Sequence, residues 1–208
     1  MSGPAPNPEV IRSTWRWLAH GVHGVSEVRV IRPVGGIVGI GFFDDEEAFV
    51  RECVRTNAAG NVYVGIQPRP RRMLELAPNV VRPLKSGAGR KDVELITGTV
   101  IDLDPVRPKD TASTEAELAL AIAAAEAATA WCEAEGFVRP RLMMSGNGAQ
   151  LWFALPPTPL DGERRERLHE IPALLGTSPA AHFAAQARER IQHRVEVRRD
   201  IEAEILEI

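Results

Sequence analysis

Thr99-Val100-Ile101-Asp102-Leu103-Asp104-Pro105 is the stretch on which the reading of this chain turns. Successive side chains of an extended strand point to opposite faces. An extended run here therefore sends Asp102 and Asp104 to one side and Ile101 and Leu103 to the other. A proline brings no N–H to a ladder, so Pro105 reads as the stop. The strand is expected over Glu94 to Leu103, and it carries two neighbouring carboxylates to its end. A pair of this kind suits a hard divalent cation such as magnesium or manganese, which prefers oxygen ligands. The plainer alternative is that both acids simply solvate a turn after a strand.

A second block begins 41 positions beyond Asp104: Ser145-Gly146-Asn147-Gly148-Ala149-Gln150-Leu151-Trp152-Phe153. It reads as two strands, Arg141 to Ser145 and Ala149 to Leu155, joined by a tight turn in which Gly and Asn can both take positive φ. Amides exposed in such a turn can face a phosphate, although an Asn-Gly hairpin forms equally well with no ligand. Trp152 follows Gln150 onto one strand face, where packing is favoured over base stacking.

Between the blocks, Thr114 and Glu117 have the spacing of a capping box. They open an Ala-rich helix that is expected to run to Glu135 and close at Gly136. Leu118, Ile122, Ala125 and Cys132 fall near one face of it, as suits a helix laid on a sheet. Upstream, Asn7-Pro8-Glu9 starts a helix expected to reach His20. Glu27 to Arg32 and Ile37 to Phe42 read as strands, Asp44 as the cap of a helix to Thr56, and Asn61 to Gln67 as a third strand. Pro68 to Lys91 holds four prolines and is expected to be mostly irregular, with Lys85 to Gly89 a flexible turn. After Pro156 the pattern turns helical again, over Glu163 to Leu175 and from Pro179 onward. The expected class is therefore α/β (α+β), with an N-terminal mixed unit over 1–92 and a second unit over 93–208 that carries both blocks on an antiparallel sheet backed by helices.

Composition bounds the function. The 208 residues are 44% hydrophobic, enough for a sizeable core. No run approaches the roughly 20 apolar residues needed to cross a bilayer, and the first residues lack a secretion signal. The cytoplasm is the expected location, with no membrane partner. Cys53 and Cys132 are single and far apart, which argues for buried thiols over a disulfide or a zinc site. The formal charge of −3 does not by itself point to nucleic acid. Gln67 to Lys91 nevertheless holds seven basic residues against Glu75 alone, a local excess of +6. Arg69, Arg71, Arg72 and Lys85 are its candidate phosphate contacts; an exposed loop in an Arg-rich chain is the other reading.

Taken together, the residues resemble the catalytic core of the archaeo-eukaryotic primase superfamily, including the primase-polymerases of plasmids, phages and mobile elements. The first motif of that family is an apolar strand ending Asp-x-Asp, matched by Val100 to Pro105. The second is a Ser-Gly-x-Gly-x-His strand entry, matched by Ser145 to Ala149 with Leu151, Trp152 and Phe153 continuing. Asn61 to Pro68 is similar to a strand and proline of its N-terminal unit, and order and spacing agree over about residues 35 to 155. Two departures stand out. Gln150 occupies the histidine position, where it can donate a hydrogen bond but cannot become cationic. The third motif, an acid beside a strand followed by an Arg-rich stretch, is not found before Ile208, so the chain reads as stopping inside a domain. Glu196 and Asp200 are the late acids available as a third ligand.

The resemblance implies a primase/polymerase-type nucleotidyltransferase. Asp102 and Asp104 would be catalytic and would hold magnesium or manganese. Ser145, Gly146, Asn147, Gly148 and Gln150 would bind the nucleotide, and Arg69, Arg71, Arg72 and Lys85 the nucleic acid. Nucleoside triphosphates, a DNA or RNA template and primer, and a helicase or another replication protein would be its partners. A non-catalytic nucleotide- or nucleic-acid-binding module derived from such an enzyme is the alternative. A glycosyltransferase, whose Asp-x-Asp also binds metal, fits less well, because no strand, Gly-rich turn and helix for a nucleotide precede the acids.

Overall fold

The computed structural model describes residues 5–18, 20–32, 36–105, 107–108 and 111–162. The helices expected after Glu163, with Glu196 and Asp200, lie outside the described residues. The chain is mixed α/β with two small antiparallel sheets. It divides into two compact units. One comprises 1–98 with 155–162 and the other begins at Thr99, so the division falls a few residues later than the 92/93 boundary expected from sequence.

In the first unit, β1 (Ser26–Arg32) lies between β2 (Gly36–Phe43) and β3 (Asn61–Val64). Both pairings are antiparallel, with Val28 opposite Gly41 and Val64, and Val30 opposite Gly39 and Val62. This register sets Val28, Val30 and Phe43 on one face. There they pack with Phe49, Val50 and Cys53 of α3 (Glu46–Thr56) and with Ile11 and Trp15 of α1 (Pro8–Leu18). Trp15 and Phe49 meet with ring centroids 4.8 Å apart. On the other face, Val25, Ile40 and Phe42 are covered by Met73, Ala77 and Ala88 from the Pro-rich segment. That segment is irregular, as expected, apart from short 3₁₀ turns at Arg71–Leu76 and Arg90–Asp92.

Several local expectations shift for identifiable reasons. Asn7 caps the first helix through its side-chain oxygen, as read from sequence, and helix is described over Pro8–Leu18 (α1) and His20–His23 (α2). Asp45, not Asp44, caps α3: its carboxylate accepts the Ala48 amide at 2.7 Å, whereas Asp44 is taken by Asn79 and Arg71. β3 ends at Val64, short of the expected Gln67, although the Gly65 amide still donates to the Glu27 carbonyl at 2.9 Å and Arg69 pairs again with Val25. The turn at Lys85 to Gly89 is pinned: Ala88 is buried, its amide donates to Glu27 and its carbonyl accepts from Arg29.

In the second sheet the strand order is β4 (Leu95–Leu103), β6 (Ala149–Pro159), β5 (Arg141–Met144). The helix α4 (Glu115–Ala134) opens with the Thr114/Glu117 capping box and is followed by Gly136 at φ 80°. Its buried stripe is Ala121, Ala125, Ala128, Thr129 and Cys132. Leu118 and Ile122 are only half-buried. Small side chains let the helix lie close to the sheet, where it packs on Leu103, Ala149 and Leu151, with Ile101 and Phe153 beside them. Fully burying each of the two leucines contributes roughly 1.5–3 kcal/mol. Both cysteines are buried, and burial pushes the Cys53 thiol up to about 12, so it is inert. Among the described residues no helix is long and apolar enough to cross a membrane.

Candidate functional site

The packing of α4 decides which way the first block faces. Leu103 is buried against the helix and Ile101 is half-buried beside it, so the alternation turns Asp102 and Asp104 to the opposite side, where both are exposed. The same face is fixed on the neighbouring strands. Ala149 and Leu151 pack toward α4, which leaves Gln150 and Trp152 on the side of the acids. Opposite them in register, Met143 pairs with Gln150 and Arg141 with Trp152.

The second block closes on the first at Gly148. A Cβ there would collide with Oδ1 of Asp104 and lie 2.6 Å from the Leu103 carbonyl oxygen, so only glycine fits. The turn itself is held from within. The Ser145 amide donates to the Gly148 carbonyl at 3.1 Å, and the Gly148 amide donates to Ser145 Oγ at 3.0 Å. Gly146 takes φ 94°, whereas Asn147 is not in the left-handed region, contrary to expectation. Positive φ at the first central residue alone is the II′ pattern, which needs glycine only there.

Asn147 is instead anchored to the segment that follows the acids. Its Oδ1 accepts the Ser113 amide at 3.3 Å, and its carbonyl accepts the Ser113 hydroxyl. Gln150 is oriented by Trp152, whose indole N–H donates to its Oε1 at 3.0 Å. This turns the carboxamide oxygen of Gln150 toward the indole and leaves its NH₂ as the donor end. Trp152 is 9% exposed, which matches the packing role.

A divalent ion fits these residues in the way hard cations bind few protein ligands. The Asp102 carboxylate makes no hydrogen bond or ion pair among the described residues. Among the described residues Asp104 has one cation near it, Arg107, whose Nη2 lies 3.8 Å from Oδ2, beyond hydrogen-bond length. Two carboxylates on one sheet face, neither accepting a hydrogen bond among the described residues, completed by water and phosphate oxygens, are what magnesium commonly uses. Among the described residues no group of three or more His, Cys, Asp or Glu side chains gathers to hold a metal, so a third acid is not supplied there.

The basic residues of the first unit separate into two kinds. Arg69 is 13% exposed and donates at 2.8 Å to Glu27, a carboxylate that is 1% exposed and also receives Arg29 at 2.7 Å. Its charge is spent inside the fold. Arg71 is exposed but pairs with Asp44, and Arg72 pairs with Glu94 and approaches Asp92. These acids come from outside the segment in which the +6 excess was counted, or from just past its end. Lys85 is exposed and forms no ion pair among the described residues.

Arg107 and Ser113, which organise the residues after Asp104, went unremarked in the sequence reading. The signal for them was present only as a cation three positions beyond the second acid. Comparison with known protein families, curated proteins and solved structures returns no match.

Proposed function

We propose that this chain is a metal-dependent nucleotidyltransferase of the primase-polymerase kind, adding nucleotides to a primer or initiating nucleotide on a nucleic-acid template. The observation that carries the reading is the meeting of the two motifs. Asp102 and Asp104 share one exposed sheet face with Gln150, the Gly148 backbone abuts Asp104, and α4 packs on the other side. In this reading the two acids hold magnesium or manganese, which when bound offsets negative charge on the phosphates as pyrophosphate departs. The turn residues Ser145 to Gly148 present backbone to the nucleotide at close range, and the Gln150 amide donates to a phosphate oxygen. Of the four basic candidates Lys85 is the one that meets a nucleic-acid backbone in this reading, since its ammonium forms no ion pair among the described residues. The primase-like core, the partners and the cofactor all belong to this proposal.

Primer extension with magnesium or manganese tests it, comparing wild type with Asp102→Ala and Asp104→Ala. Template-directed extension that disappears in both variants supports the proposal; equal extension in all three overturns it.

A second reading is favoured by Gln150 at the histidine position and by the lack of a third acid among the described residues. In it the chain binds nucleotide or nucleic acid without synthesis. Metal-dependent nucleotide binding with no incorporation identifies that case.

A further inference from the structure

The geometry points to Arg107 as the cationic contact for a nucleotide's phosphates beside Asp104, taking the charge that Gln150 cannot supply; this rests on the nucleotidyltransferase reading above. The side chain is 18% exposed and is held by its own loop. Nε donates to Ser113 Oγ at 3.2 Å, and Nη1 donates to the Thr111 carbonyl at 3.0 Å. Among the described residues only the Nη2 corner is directed at an acid, and it stops 3.8 Å from Asp104 Oδ2. An arginine free to choose its geometry closes on a carboxylate with short, paired hydrogen bonds. This one is kept back by the two loop contacts, so a donor remains at the site with its hydrogen-bonding capacity unspent.

The loop contacts also tie Arg107 to the glycine turn. Ser113, which accepts from Arg107, donates through its amide and hydroxyl to Asn147. The guanidinium and the turn backbone are thus positioned by one hydrogen-bonded relay on either side of Asp104. Chemistry favours a phosphate as the missing acceptor. Guanidinium stays charged at every accessible pH and matches phosphate oxygens with a planar fork, whereas Gln150 offers only a neutral amide. Among the described residues Arg107 is the one cation within 4.0 Å of either Asp102 or Asp104. In the free protein it partly balances Asp104; once a divalent ion occupies that carboxylate, its charge is available to the phosphates.

The test is the affinity of the intact chain, in manganese, for a fluorescent nucleoside triphosphate and for the matching uncharged nucleoside. Arg107→Ala is expected to weaken the triphosphate about tenfold or more, the scale of one charge-assisted contact, while changing the nucleoside less than about twofold. Arg107→Lys should fall between, and Ser113→Ala, which keeps the charge, should retain the triphosphate preference. Manganese alone should bind Arg107→Ala no more weakly than wild type, because a neighbouring cation has been removed. Equal weakening of triphosphate and nucleoside overturns the inference, since it marks a purely structural role, and unchanged triphosphate affinity overturns it too. If wild type itself binds no triphosphate in manganese, the nucleotidyltransferase reading falls and this inference with it; binding by wild type with no Arg107 effect removes this inference alone.

Discussion

Asp104 and Gly148, 44 positions apart in sequence, meet so closely that no side chain can stand between the β4 carboxylate and the turn backbone. Gly148→Ala therefore forces either the acid or the turn to move. The added methyl meets a backbone carbonyl as well as the carboxylate, so a simple rotamer change of Asp104 does not relieve it. We expect a loss of about 1–3 kcal/mol in denaturant unfolding, typical of overpacking, together with weakened manganese binding. Gly146→Ala strains the turn through its positive φ but leaves Asp104 untouched, so its manganese affinity should stay near wild type.

Glu52 ties α3 to the Pro-rich segment. It accepts from Arg55 at 2.6 Å and from the Val81 amide at 2.9 Å. Burial pushes its carboxyl up, but hydrogen bonds from Arg55 and the Val81 amide outweigh this and hold the pKa below the usual glutamate value. Glu46 is held down to about 2 by hydrogen bonds from Arg16 and Arg12. A depressed folded pKa gives stability that is complete above the unfolded value, roughly 4.3, and is lost as pH falls through the folded one. Urea midpoints should therefore be flat from pH 7 to about 5 and decline below roughly 4.3. Glu52→Gln should start lower at pH 7 and decline less. A variant as pH-sensitive as wild type would place the acid transition elsewhere.

Ser145 makes the reciprocal pair that shapes the turn, with its amide donating to the Gly148 carbonyl and its Oγ accepting the Gly148 amide. Ser145→Ala removes the second bond only. The expected cost is about 0.5–1.5 kcal/mol in unfolding, the net worth of one hydrogen bond. The freed Gly148 amide should also exchange its hydrogen faster with solvent, while amides of the buried α4 stripe keep their protection.

How much of this was legible in the sequence depends on the range of the cause. Alternation put Asp102 and Asp104 on one face, and the Thr114/Glu117 spacing placed the start of α4, because strand pleat and capping are local. The hairpin position followed from Asn147-Gly148, yet its φ pattern did not, because Gly146 rather than Asn147 carries the left-handed residue. The cap of α3 moved from Asp44 to Asp45 for a non-local reason: Asn79 and Arg71, far along the chain, claim Asp44. Likewise the core stripe of α4 is set by the sheet it meets, so small alanines are buried where the larger Leu118 and Ile122 were expected. The basic cluster illustrates the same limit. A count of charges along the chain does not see Glu27, Asp44 and Glu94, which come from other elements.

That division among the basic residues yields a last prediction. Arg69→Ala leaves Glu27 buried with one arginine instead of two, and uncompensated buried charge is costly. We expect a loss of about 3 kcal/mol, the low end for a broken buried pair, because Arg29 and the Ala88 amide remain on Glu27. Lys85→Ala removes an exposed cation with no ion pair among the described residues to lose, so stability should stay within about 0.5 kcal/mol of wild type. Binding to a single-stranded oligonucleotide should separate the two in the opposite order. Lys85→Ala should lower affinity across sequences and reduce the slope of log affinity against log salt by about one. Arg69→Ala, assayed well below its melting temperature, should leave that slope unchanged. An unchanged slope for Lys85→Ala, or a reduced one for Arg69→Ala, would contradict the assignment of inward charge to Arg69 and outward charge to Lys85.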